Sequence, residues 1–226
     1  PDLLARTLRE TAPAIDEAAD LLFLAPSLHL LAIRISAVAR EGALKIREVV
    51  LCHAEGFEGS EFKHGPNTIL GRSTVFGPQQ IARLLAHLQA GGQPQLGTAV
   101  FDALFDDYPL LYVTGPDERD VLLAVSQMNT HKIRGASTVV VAEEHPALRT
   151  AASKPPADNP RYRHVYVTLP ATGDTLLTVY ASTLVLQRLA LRMSEKKAAW
   201  LDALGVQEHG VHPDVPKNVS KSITVD

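Results

Sequence analysis

The strongest constraint on this chain lies between residues 109 and 203. Three short apolar runs, PLLYVTG (109–115), STVVVAE (137–143) and RHVYVTLP (163–170), are rich in β-branched residues and read as buried strands. Between them lie segments of crossover length. Asp117 begins a helix that runs to about Arg134 and is ended by Gly135. HPALRTAA is a short helix, followed by the turn-rich loop SKPPADNP. A long helix follows the third strand, capped by Asp174 or Thr172. Strands alternating with helices predict a parallel sheet covered on both faces. Right-handed crossovers then give a doubly wound α/β fold, a three-layer α/β/α sandwich with its ligands at the carboxyl ends of the strands.

The first part of the chain adds two more layers' worth of elements. Leu3 to Leu24 is helical in spacing, with Pro13 interrupting or restarting the run. HLLAIRI (29–35) reads as a buried strand, and Ser36 as the cap of a helix reaching about Cys52. His53 then reads as a helix C-terminal histidine favoured by the dipole. EGFEGSEFKHGPN breaks the pattern, with one short helical turn before His64. Residues from about 67 to 108 read as an insertion containing a helix over Gln80–Gln89, a Gly/Pro-rich linker and a second short helix in TAVFDALFDDY. The tail, from about 211 to 226, has no periodicity.

A length of 226 residues suits a single domain, and a formal charge of -3 gives no electrostatic argument for nucleic acid or a membrane surface. No apolar run is long enough to span a bilayer, and no charged-then-apolar leader opens the chain. One cysteine, Cys52, excludes an internal disulfide framework, so a reducing, cytoplasmic setting is expected. No GxGxxG or GxxxxGK[ST] follows a strand, and there is no HExxH or paired CxxC, so neither a nucleotide cofactor nor a metal is expected. The chain starts in PDLLARTLRE without methionine, which leads us to expect a piece of a longer protein.

Candidate chemistry concentrates in EGALKIREVVLCHAEGFEGSEFKHGP (41–66). Glu41, Lys45 and Glu48 are spaced at i, i+4 and i+3, on one part of a helix face. That spacing suits either a solvated ion-pair ladder or an acid–base site. His64 precedes Gly65 and Pro66, a break that presents the imidazole either as a plain loop side chain or as a proton-transfer group. Lys221 lies in the aperiodic tail, where a lysine is either solvated or brought to a site by closure of that tail. Cys52 reads as a small core residue rather than a nucleophile.

Three blocks, EGALKIRE, HAEGFEGSEFKHGP and PKNVSKSITVD, occur in that order. They resemble the second sugar-isomerase (SIS) domain of the glutamine–fructose-6-phosphate aminotransferase family, which typically shows EGALKLKE, then HAE, ELKHGP and a terminal PRNLAKSVTVE. The resemblance covers most of the chain and implies a SIS-type sandwich spanning residues 1–226, with the tail catalytic. It implies an enzyme that makes glucosamine 6-phosphate from fructose 6-phosphate and glutamine-derived ammonia, without metal or organic cofactor. Glu48 is then the base that moves a proton between C1 and C2 of the sugar, and Lys45 its helper. His64 assists ring opening in a site shared across a homodimer, and Lys221 forms an imine with the open-chain ketose. Ser220 and Glu41 are expected to contact the substrate. The implied partners are a hexose phosphate, a second copy, and the first SIS and glutaminase domains of a parent chain.

Several features depart from that pattern. The family has a Gly-Arg-Gly turn after the first strand, where this chain has AIRIS. No serine–glutamine–serine–glycine phosphate loop occurs, so the isolated piece is expected to be inactive. About forty residues intervene after the HGP block, and EKKAAWLDALGVQEHG is longer than usual. Two alternatives stay open: a related phosphosugar isomerase or deglycase, and a non-catalytic sugar-phosphate-binding module.

Overall fold

A computed structural model describes residues 2–70, 85–86, 88–91, 108–157, 159 and 161–211. Five parallel strands form one sheet in the order β2-β1-β3-β4-β5, with β1 Ser27–Ala32, β2 His53–Glu58, β3 Leu110–Val113, β4 Thr138–Glu143 and β5 His164–Leu169. The helices are α1 (Asp2–Leu22), α2 (Ser36–Val50), α3 (Glu118–Lys132), α4 (Pro146–Ser153) and α5 (Thr175–Ala203). Two 3₁₀ turns, Glu61–Lys63 and Pro66–Ile69, follow β2.

Two apolar clusters sandwich the sheet. Leu28, Leu30, Val139, Val141 and Val167 face α1, α2 and α5 on one side. Leu31, Tyr112 and Val140 face α3, α4 and Phe62 on the other. Burial on both faces is why the central strands read as unbroken apolar runs. The doubly wound architecture is therefore as the alternation of elements predicted.

Local chemistry sets the element ends. Asp117 accepts from the backbone N–H of Arg119 and Asp120 to cap α3, and Asp174 accepts from Leu176 and Leu177 to cap α5. Of the two caps considered for α5, Asp174 fills the position. Gly135, at φ 100°, turns the chain after α3. Arg34, at φ 61°, ends β1 after Ala32, short of the reach to Ile35 that the apolar pattern suggested.

Three local expectations are corrected. α1 runs unbroken through Pro13. Pro13 and Arg9 are both exposed, so the Arg9 carbonyl deprived of its donor faces water. Ser36 is the first helical residue of α2 rather than its cap; Ile35 holds the cap position without a side-chain bond. His53 opens strand β2 rather than ending α2, because Leu51 adopts φ 53° and terminates the helix first. Strand β2 was obscured by its glycine. A Cβ at Gly56 would lie 2.5 Å from the Ala39 carbonyl carbon and the Arg40 nitrogen, so only glycine lets α2 lie this close to the strand.

The helix expected over Gln80–Gln89 falls mostly outside the described residues, although 85, 86, 88 and 89 are helical. The expected helix in TAVFDALFDDY, up to residue 107, and the tail beyond residue 211 lie outside them as well.

Candidate functional site

The α2 face assembles as its spacing predicts. Lys45 Nζ lies 2.8 Å from Glu48 Oε2 and 3.8 Å from Glu41 Oε1. Gln187 on α5 donates to Glu41 at 3.5 Å, tying the cluster to the neighbouring helix. The hydrogen bond to Glu48 holds the Lys45 ammonium above its ordinary pKa, with burial opposing it. All three side chains remain a third or more exposed, so the triad can meet a ligand from outside.

His64 caps the first 3₁₀ turn and is exposed, with its backbone N–H donating to Glu61 O at 3.0 Å. Gly65 takes φ 139°, open to glycine and strained for other residues, and so makes the break that displays the imidazole. Among the described residues no hydrogen bond or ion pair joins the His64 side chain to the α2 triad. Lys221 and Ser220 lie outside the described residues. The structure thus brings together Glu41, Lys45 and Glu48, and presents His64 from a separate segment. Cys52 is partly buried, and burial pushes its thiol up to about 11, which suits a packing role.

The carboxyl ends of the strands carry a different set of groups. Arg34 bridges Asp117 (3.0 Å) and Asp120 (2.9 Å) between β1 and β3, the point where the chain's winding reverses. Glu143, at the end of β4, accepts from the Thr172 and Gly173 backbone N–H groups and from the Thr172 and Thr178 hydroxyls. These donors would suit a phosphate, but the chain's own carboxylates occupy them.

No protein-family model matches the chain. A glutamine–fructose-6-phosphate aminotransferase (isomerizing) of Mycolicibacterium paratuberculosis is 29% identical over 230 residues, covering 100% of this chain and 28% of the relative. The enzyme of the same name from Streptomyces coelicolor is 30% identical over 192 residues, covering 84% of this chain and 22% of the relative. The chain is a homologue of part of these aminotransferases. It spans about a quarter of their length. Its fold agrees: the C-terminal domain of glucosamine-fructose-6-phosphate aminotransferase from Francisella tularensis superposes with a TM-score of 0.56 at 18% identity, over 87% of this chain and 43% of that one. The architecture is therefore that of the SIS sandwich.

Sequence reasoning missed one cluster of this aminotransferase-like domain. On β1 and β2, Ser27 pairs with His53 and His29 with Glu55, all on one sheet face. They border a cavity of about 440 Å³ that Tyr108 and Pro66 also line. The signal was present in two places: a pair of polar residues two positions apart, Ser27 and His29 in SLHLLA and His53 and Glu55 in HAEGFE. It could be read only once HAE was recognised as strand.

Proposed function

We propose that this chain is the isomerase domain of a longer aminotransferase that converts fructose 6-phosphate and glutamine-derived ammonia to glucosamine 6-phosphate. The observation that carries this reading is similarity to such enzymes across 100% of the chain, the tail with Lys221 included. The triad on α2 supports it, because an aldose–ketose shift needs a positioned carboxylate, and Lys45 Nζ holds Glu48 at 2.8 Å.

In this reading Glu48 takes the proton from one of the two sugar carbons and returns it to the other. Lys45 steadies the Glu48 carboxylate, and Glu41 and Ser220 contact the sugar. The neutral amine of Lys221 adds to the ketose carbonyl and water leaves, forming the imine. His64 transfers a proton during ring opening, reaching the site of a second copy; its exposure and its separation from the α2 triad support that sharing. The strand-end donors occupied by Glu143, and the helix starts capped by Asp117 and Asp174, support a phosphate held by another domain.

The test is glucosamine 6-phosphate formation by the full-length protein. Lys221→Ala abolishes it if the imine role is right; unchanged turnover rejects the role. The isolated 226-residue chain is expected to be inactive with fructose 6-phosphate, and robust isomerisation by it would show that no second domain is needed.

A further inference from the structure

The cavity beside β1 and β2 contains a hydrogen-bonded chain with a proton missing at one end. His29 Nδ1 bonds Tyr108 Oη at 2.9 Å, Tyr108 Oη bonds Ser27 Oγ at 2.5 Å, and Ser27 Oγ bonds His53 Nδ1 at 2.7 Å. Three bonds need three protons, and the two hydroxyls supply two. The third comes from an imidazole, His29 or His53, donating as Nδ1–H. Whichever ring donates, its neutral form turns a bare Nε2 lone pair toward the Glu55 carboxylate, His29 Nε2 at 3.5 Å from Oε2 or His53 Nε2 at 3.6 Å from Oε1. Two acceptors face each other with no proton between them.

Protonating His29 would fill the gap, but the ring is 4% exposed and burial drives its pKa down to about 4, against the pull of Glu55. A donor entering from the cavity completes the chain whichever ring is bare. The carboxylate and a second imidazole, His53 Nε2 at 3.6 Å from Glu55 Oε1, surround the same spot. A metal is the poorer occupant. The two imidazoles address different oxygens of one carboxylate, and among the described residues no three His, Cys, Asp or Glu side chains are placed to hold a metal ion. An ammonium group reaches acceptors at nearly 3 Å and tolerates the wider spacing. The remaining wall suits an organic frame: Pro26, Phe57, Pro66, Ile69 and Tyr108 line the cavity, and among the described residues no Lys or Arg does. Aromatic faces add their own attraction for a cation. The absence of a basic lining residue, with Glu55 present, disfavours a phosphate.

We infer that this cavity binds a small organic ammonium ion, a primary amine on an apolar or ring-shaped frame, held by the bare imidazole Nε2 and the Glu55 carboxylate. The site is separate from the α2 triad and does not depend on the proposed reaction.

The experiment is calorimetric titration of the 226-residue chain near neutral pH with benzylammonium, its neutral twin benzyl alcohol, and zinc chloride. Saturable one-to-one binding of benzylammonium is expected, with the alcohol weaker by about tenfold or more. Glu55→Gln should weaken the amine by about tenfold or more and leave the alcohol unchanged. Nitrogen spectra should report one Nδ1–H ring between His29 and His53, and a shift of that ring's Nε2 on binding. Four results would each overturn the inference: no saturation by benzylammonium, equal binding of the alcohol, amine affinity unaffected by Glu55→Gln, or stoichiometric zinc binding that displaces the amine. The comparison of amine with alcohol needs no variant, so it decides even if Glu55→Gln fails to fold.

Discussion

Two polar clusters flank β2, and they are built in opposite ways. The α2 triad of Glu41, Lys45 and Glu48 sits on a helix face, a third or more exposed, joined by ion pairs around Lys45. The Ser27–His29–Tyr108 group sits on strands with His29 buried to 4% exposure, joined by directional hydrogen bonds. Water screens the first, so its ion pairs add little to folding and its side chains are free to serve a substrate. The second is enclosed, so each bond there is costly to break and its protonation is coupled to folding. The contrast predicts that variants on α2 damage turnover and spare stability, while variants in the β1–β2 group do the reverse.

The largest effect should come from α2. Glu48→Gln in the full-length protein removes the proposed base but keeps its size. Glucosamine 6-phosphate formation should fall by about 10²–10⁴-fold in kcat, the usual contribution of a positioned base. The melting temperature should stay within a few degrees. A drop in stability that matches the loss in rate would place Glu48 with the structural cluster and break the contrast.

Next comes the response to acid. Burial lowers both His29 and His131 from the ordinary 6.5 to about 4. The unfolded chain therefore binds more protons than the folded one between those values. Stability from these neutral histidines is fully present above about pH 6.5 and is lost as pH falls toward 4, by at most about 3 kcal/mol per ring. His29→Asn should flatten part of the decline in melting temperature over that window, while Lys45→Met should leave the slope unaltered. An unchanged slope in His29→Asn would show that the ring does not stay neutral in the fold.

The difference between the clusters also explains what could be read in advance. Three sequence blocks and helical spacing gave the α2 triad, because i, i+3 and i+4 neighbours meet whatever the rest of the fold does. The alternation of apolar runs with helices gave the sheet. The β1–β2 group could not be read the same way. Ser27 lies 81 positions from Tyr108 in sequence, and only the parallel register puts Ser27 beside His53 and His29 beside Glu55. Gly56 hid the strand that creates this register, since its role is to admit the backbone of α2 rather than to favour a strand. Pro13 misled for the opposite reason. Its rule is local, but its cost here is met by water on the exposed side of α1.

Tyr108→Phe tests the buried cluster at intermediate scale. It removes one hydroxyl and leaves the aromatic packing against His29, whose ring centroid is 5.5 Å away. Ser27 Oγ and His29 Nδ1 each lose a hydrogen-bond partner, so the fold should weaken by about 1–3 kcal/mol in chemical denaturation. Turnover of the full-length protein should be unaffected. A loss of rate without a loss of stability would tie this cluster to the chemistry instead.

The smallest effect separates the two modes of construction most cleanly. Lys45→Met keeps the aliphatic stem of Lys45 and deletes the ammonium that lies 2.8 Å from Glu48. With both side chains partly in water, the pair should contribute no more than about 0.5 kcal/mol to folding, and less at high salt. Its effect on rate should be larger than that, because in the proposed reaction a bound sugar displaces the surrounding water and strengthens the hold of that ammonium on the Glu48 carboxylate. The check is a paired measurement, with equilibrium denaturation at low and high salt beside kcat in the full-length protein. If Lys45→Met costs stability and leaves kcat intact, α2 is a scaffold and the acid–base role has to be sought elsewhere on the chain.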